Sequence, residues 1–118
     1  MIVGLDHVQI AAPRGCEAEA RTFYGELLGL REVPKPEKLA SRGGVWFQVG
    51  EQQLHIGVED EFRAARKAHP AFAVADINVV AQRLGGAAIS VTWDDAIPDV
   101  QRFYVNDPWG NRVELLQQ

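Results

Sequence analysis

The chain has 118 residues, 47% of them hydrophobic, 24% charged and 8% aromatic, which fits one globular domain with its own core and excludes a disordered or collagen-like chain. A formal charge of −4, from 12 basic and 16 acidic residues, argues against nucleic acid as the main partner, and no apolar run approaches the roughly 18 residues of a membrane helix. The opening residues lack the basic start and long apolar stretch of a signal peptide, and the single cysteine, Cys16, has no internal disulfide partner, so a reducing cytoplasm is the expected home.

Leu5 to Ala11 alternates polar and apolar residues and reads as a strand with one buried face, closed by Pro13 and Gly15. Ala20, Phe23, Tyr24, Leu27 and Leu28 fall at helical spacing, with Gly29 as the stop. Leu30–Val33 reads as a short strand before a loop rich in proline and glycine. Val45–Val49 and Gln53–Val58 read as two more strands, joined by a tight turn at Gly50-Glu51-Gln52. Residues 59–68 are charged and read as a solvated connector, with Arg63, Arg66 and Lys67 its basic members.

The pattern then restarts. Pro70–Val74 reads as a strand. Asp76 caps a helix carrying Ile77, Val80, Ala81 and Leu84, stopped by Gly85 and Gly86. Ala88–Trp93 and Gln101–Val105 read as strands, and a turn at Asp107-Pro108-Trp109-Gly110-Asn111 leads into the last strand, Arg112–Leu116. The expected fold is therefore α+β: two βαβββ modules, 1–58 and 69–118, joined by connector 59–68 into one domain, 1–118. Together they are expected to form a curved, half-barrel-like mixed sheet around a cavity.

Side chains alternate across a strand. If Val8, Leu54, Phe72 and Val113 face the helices, then His7, His55, His69 and Glu114 face the other way. All three histidines and one carboxylate thus fall on the face that would line the cavity, at matched positions of the two modules. Imidazole and carboxylate suit Zn, Ni, Mn, Co or Fe(II). The same parity places Gln9, Trp46, Gln48 and Arg102 on the cavity side as pocket residues. Cys16, at the start of the first helix, is expected to have its pKa lowered somewhat by the helix dipole while remaining structural.

Leu5-Asp6-His7-Val8, Phe23-Tyr24-Gly25-Glu26-Leu27-Leu28-Gly29-Leu30, and the segment Phe103–Glu114 with its Asp107-Pro108-Trp109-Gly110-Asn111 turn resemble the vicinal oxygen chelate superfamily. That group contains glyoxalase I, extradiol dioxygenases, fosfomycin-resistance thiol transferases and bleomycin-resistance proteins. The resemblance covers essentially the whole chain. It implies metal-ligand positions at His7, His69 and Glu114, with His55 at a fourth position that is a glutamate in glyoxalase I. It also implies a substrate-bonding role for the hydroxyl of Tyr104.

On this resemblance the expected function is a metal-dependent, glyoxalase-like enzyme of lyase or isomerase type, acting on a small oxygen-chelating substrate. His55 is then the candidate base, or a fourth ligand, and Tyr104 orients the substrate. The alternatives are an extradiol-type dioxygenase using Fe(II), and a non-catalytic binding protein of the bleomycin-resistance type. A homodimer is expected, because each module exposes a sheet edge.

Overall fold

The computed structural model describes all residues, 1–118. It divides into two compact units, Met1–Arg63 and Ala64–Gln118.

In the first unit, β1 (His7–Ala12) leads into α1 (Glu17–Ala20), which continues as a π-helical segment, Arg21–Leu27. Next come β2 (Arg31–Val33), a 3-10 segment (Glu37–Arg42), β3 (Val45–Val49) and β4 (Gln52–Val58). The strands form a mixed sheet in the order β1-β4-β3-β2, with β1 parallel to β4 and the other pairs antiparallel. The expected helix at 20–28 thus starts earlier and winds wider. Its last turn closes with Leu28 N–H donating to Phe23 C=O, and Thr22 Oγ1 also donates back to the Ala18 carbonyl. Gly29, at φ 78°, ends it as expected. Ala20, Phe23 and Tyr24 on the helix pack with Val45, Phe47, Leu54 and Ile56 on the sheet as a buried core. Tyr24 lies edge-on to Phe23, with ring centroids 4.8 Å apart, and 6.2 Å from Phe47. Along β1, coverage increases toward Ala12, so Val8 at its start is 37% exposed despite its parity.

The second unit repeats the plan with β5 (Ala71–Val74), α2 (Ile77–Gly86), β6 (Thr92–Asp94), β7 (Arg102–Asn106) and β8 (Arg112–Gln117). Its order is β5-β8-β7-β6, again with only the first pair parallel. Asp76 caps α2 as read from the sequence, its carboxylate accepting from the Asn78 and Val79 amides. Gln117 adds a second tie, accepting from Ile77 N–H at 2.9 Å and donating to the Ala75 carbonyl at 2.7 Å. Ile77 and Leu84 are buried with Phe103, Val105, Val113 and Leu115. α2 runs on through Gly85 and Gly86, and the strand expected at Ala88–Trp93 is only three residues, Thr92–Asp94. Ala88, at φ 59°, breaks the extended run.

The architecture is α+β with two four-stranded mixed sheets that are not closed into a barrel. The connector keeps no regular structure, but its Ala65 is held on the second unit. Ala65 N–H donates to Asn111 Oδ1 at 2.8 Å, and Arg112 N–H donates to Ala65 C=O at 2.9 Å. Buried Asn111 also donates to Asp107 Oδ2 at 2.9 Å, so the turn at 107–111 positions the start of β8. No helix is long and apolar enough to cross a membrane.

Candidate functional site

Strand pairing explains why side chains far apart in sequence meet on the first sheet. β3 and β4 place Trp46 opposite His55, and β1 and β4 place Gln9 opposite His55 and His7 opposite Gln53. His55 therefore sits between two rings on the face away from the core. Trp46 stacks on it at 3.7 Å with planes 2° apart, and His7 stacks on it at 4.3 Å with planes 19° apart. His55 is only 6% exposed. Burial, then the neighbouring His7 and Lys35, lowers its pKa from the ordinary 6.5, against an opposing pull from Asp6.

The second sheet repeats the arrangement with different chemistry. Ala71 and Tyr104 both lie opposite Glu114, and His69 precedes Ala71 by one strand period. The two registers make His69 the counterpart of His7, Glu114 that of His55, and Tyr104 that of Trp46. His69 Nε2 lies 3.0 Å from Glu114 Oε1, and its ring meets Tyr104 edge-on at 5.3 Å. Arg102 ties the group together: it donates to the Tyr104 hydroxyl at 2.9 Å, to Glu114 Oε1 at 3.4 Å and to Asp94 Oδ1 at 3.1 Å. Burial works against its charge, yet Asp94, Tyr104 and Glu114 together hold its pKa above the ordinary value. Arg112 covers the Tyr104 ring, its guanidinium carbon 4.7 Å from the centroid.

Every imidazole has one nitrogen occupied by an oxygen. His7 Nδ1 meets Asp6 Oδ1 at 2.9 Å, His55 Nε2 meets Gln53 Oε1 at 2.8 Å, and His69 Nδ1 meets the Lys67 carbonyl at 2.8 Å. An oxygen acceptor fixes the N–H on that side and leaves the other nitrogen as a lone-pair donor, the arrangement found behind metal-bound histidines. For His69 the lone pair then faces a carboxylate oxygen, so two acceptors oppose each other and need a proton or a cation between them. Imidazole and carboxylate are donor types that suit a divalent metal. No three His, Cys, Asp or Glu side chains gather into a group able to hold one; each unit carries a pair of donors.

Of the expected pocket residues, Gln9 and Trp46 line one cleft of about 280 Å³ on the first unit. Gln48 instead folds back, donating to the Gly50 carbonyl at 2.8 Å. Arg102 belongs to the ion-pair cluster just described. Arg63, Arg66 and Lys67 are exposed on the connector. Cys16 corrects its expectation: burial, then the charge of Glu17, raises its pKa to about 11. Burial and the adjacent Glu17 carboxylate outweigh any lowering from the helix N-terminus. Asp94 falls one residue beyond the strand that the sequence predicts at Ala88–Trp93, and Lys35 and Arg42 fall in a stretch that composition marks only as a loop.

No protein-family model matches the sequence, and no curated protein matches it. Among solved structures, the chain is similar to a glyoxalase family protein from Bacillus anthracis, with 56% identity, TM-score 0.96, and coverage of 100% of this chain and 97% of that one. It shares the fold of a lactoylglutathione lyase from Agrobacterium tumefaciens, with 23% identity, TM-score 0.73, and 97% and 92% of the two chains covered. It also shares the fold of the genomically encoded fosfomycin resistance protein FosX from Listeria monocytogenes, with 16% identity, TM-score 0.77, and 100% and 95% coverage.

Proposed function

The chain belongs to the glyoxalase family of the vicinal oxygen chelate superfamily, and from that membership we propose that it is a metal-dependent enzyme of lyase or isomerase type acting on a small substrate with adjacent oxygens. The observation that carries the reading is the opposition of His69 Nε2 and Glu114 Oε1 at 3.0 Å. The donors are His7, His69 and Glu114, a set of two imidazoles and one carboxylate that leaves coordination positions open. A homodimer fits the exposed edge strands β1 and β5.

A divalent ion bound by these donors supplies Lewis acidity toward the substrate oxygens. The chain's own residues do the rest. His55, neutral at pH 7 and held flat between Trp46 and His7, accepts a proton at Nδ1. Tyr104 accepts from Arg102, so its own proton is free to donate to a developing negative charge. Arg102, fixed by Asp94, holds both Tyr104 and Glu114 in place.

Elemental analysis of exhaustively dialysed protein tests this reading. One divalent ion per chain is expected, lost in His69→Ala and in Glu114→Ala. Full metal retention in both variants, or no metal in the parent, overturns it. A screen against thiohemiacetals, catechols and acyl-CoA epimers then separates chemistries. Oxygen uptake with catechol under anaerobically loaded Fe(II) would identify an extradiol dioxygenase, and tight drug binding without metal would identify a sequestering protein.

A further inference from the structure

The cleft beside the Trp46–His55 stack has an unusual charge for this chain. It is lined by Gln9, Lys35, Leu39, Arg42, Trp46 and Ile56, with Gly43, Gly57 and Val58 completing the wall. Two cations and no carboxylate line it, although the protein as a whole carries a formal charge of −4. Arg42 has no hydrogen bond or ion pair within the chain, and the one hydrogen bond of Lys35 goes to the Gly43 carbonyl. Glu17 and Glu32 line the adjoining cleft and are already engaged: Glu17 accepts from Gly44 N–H at 2.6 Å and from Cys16 Sγ at 3.7 Å, and Glu32 accepts from Arg21 at 2.9 Å.

The cleft is built rather than accidental. Pro34 and Pro36 flank Lys35, and the 3-10 segment Glu37–Arg42 that follows is closed by Leu39 N–H donating to Pro36 C=O at 2.9 Å. Gly43 and Gly44, at φ 76° and 89°, turn the chain back into β3 and so set Arg42 over the same cleft as Lys35. On the floor, a Cβ at Gly57 would come within 2.6 Å of Gln9 Nε2. The bare glycine lets the Gln9 amide lie across β4, and that amide makes no hydrogen bond within the chain. A free amide and two cations without counter-charge therefore border one space. That space adjoins Trp46, and the charge of Lys35 reaches His55.

We infer that this cleft is a subsite for an anionic oxygen group, a carboxylate or a phosphate, carried by the substrate. Lys35 and Arg42 bind the oxygens by charge-assisted hydrogen bonds, and the Gln9 amide donates a further one. Trp46 forms the apolar wall along which the rest of the molecule extends toward His55. At about 280 Å³ the cleft takes a charged substituent rather than a whole ligand. The inference rests on the proposed function in one respect: the bound anion is taken to belong to the molecule that reacts at the metal.

The test is a titration of the full-length protein, as purified, with inorganic phosphate and separately with malonate. Ionic strength is held constant with chloride, and the indole N–H resonance of Trp46 is followed. Saturable shifts with a millimolar dissociation constant are expected for at least one ion, and the tighter of the two identifies the substituent. Lys35→Gln and Arg42→Gln should each weaken binding about tenfold. Arg31→Gln, an exposed arginine on β2 outside the cleft, should leave it unchanged. Shifts that do not saturate, or that persist in Lys35→Gln and Arg42→Gln, overturn the subsite. His69→Ala keeps the two readings apart. Anion binding retained without a metal requirement supports the subsite even if the metal reading fails, whereas metal binding with no anion binding defeats the subsite alone.

Discussion

Trp46 lies flat on His55, with ring centroids 3.7 Å apart and planes 2° from parallel. The contact makes the indole a reporter of the imidazole's charge, since a stacked imidazolium quenches tryptophan emission. Burial, then His7 and Lys35, lowers the His55 pKa from 6.5. In metal-free protein with Trp93 and Trp109 replaced by Phe, emission should stay level as pH falls to 6.5 and drop only below it. The sign for stability is the same. The unfolded chain takes up the proton first, so this contribution shrinks as pH falls from about 6.5 through the lower folded value. A fluorescence midpoint at or above 6.5 would show that His55 is not desolvated.

The Tyr104 hydroxyl accepts from Arg102, and its ring is covered by Arg112. Tyr104→Phe removes only the hydroxyl. Metal content should not change, while turnover of whichever substrate the screen identifies should fall about 10- to 100-fold through kcat. A loss of metal in this variant would mean that Tyr104 supports Glu114 through Arg102 instead of acting on substrate.

The duplicated plan was legible because strand parity is strict. His7, His55, His69 and Glu114 sit at matched registers in two sheets of identical order. Turn chemistry was equally readable: Asp76 caps α2 and Asp107 organises its turn, since both act within a few residues of themselves. What escaped the sequence depends on partners distant along the chain. The apolar residues of Ala20–Leu28 fall at α-helical spacing in the sequence, so periodicity reads the stretch as an ordinary helix and does not report the wider π-helical winding at Arg21–Leu27. The cleft at Lys35 and Arg42 exists because two glycines fold a loop over β4, and composition alone marks that stretch only as a turn. The tie from Asp94 to Arg102 links two strands whose pairing the sequence does not number.

Gly44 and Gly50 both have positive φ, 89° and 57°, but their surroundings differ. A Cβ at Gly44 would fall 2.0 Å from the Ile56 carbonyl oxygen, whereas nothing lies within 4 Å at Gly50. Gly50→Ala should therefore cost about 1–2 kcal/mol, the strain of the backbone alone. Gly44→Ala adds a clash with β4 backbone and should cost about 3 kcal/mol or more. Urea unfolding of the two variants checks the difference. Equal losses would mean that the loop at 43–44 moves off the sheet without penalty, and the cleft would lose its rigid wall.

Cys16 is 1% exposed, and its Sγ lies 3.7 Å from Glu17 Oε2, whose pKa is itself lowered by the Gly44 amide. With the thiol pKa raised from 9.0 to about 11, the thiolate at pH 8 is about a hundredfold scarcer than for an ordinary cysteine. Folded protein should react with iodoacetamide at least about a hundredfold more slowly than the urea-unfolded chain. Stability follows the same asymmetry. Above pH 9 the unfolded chain loses this proton while the folded one keeps it, so the contribution is fully present below 9 and is lost as pH rises through 11. Cys16→Ala should make the alkaline decline of the melting temperature shallower over that range. An unchanged slope would mean that the thiol ionises as easily in the folded protein as in the unfolded one, and that the first turn of α1 opens to admit solvent.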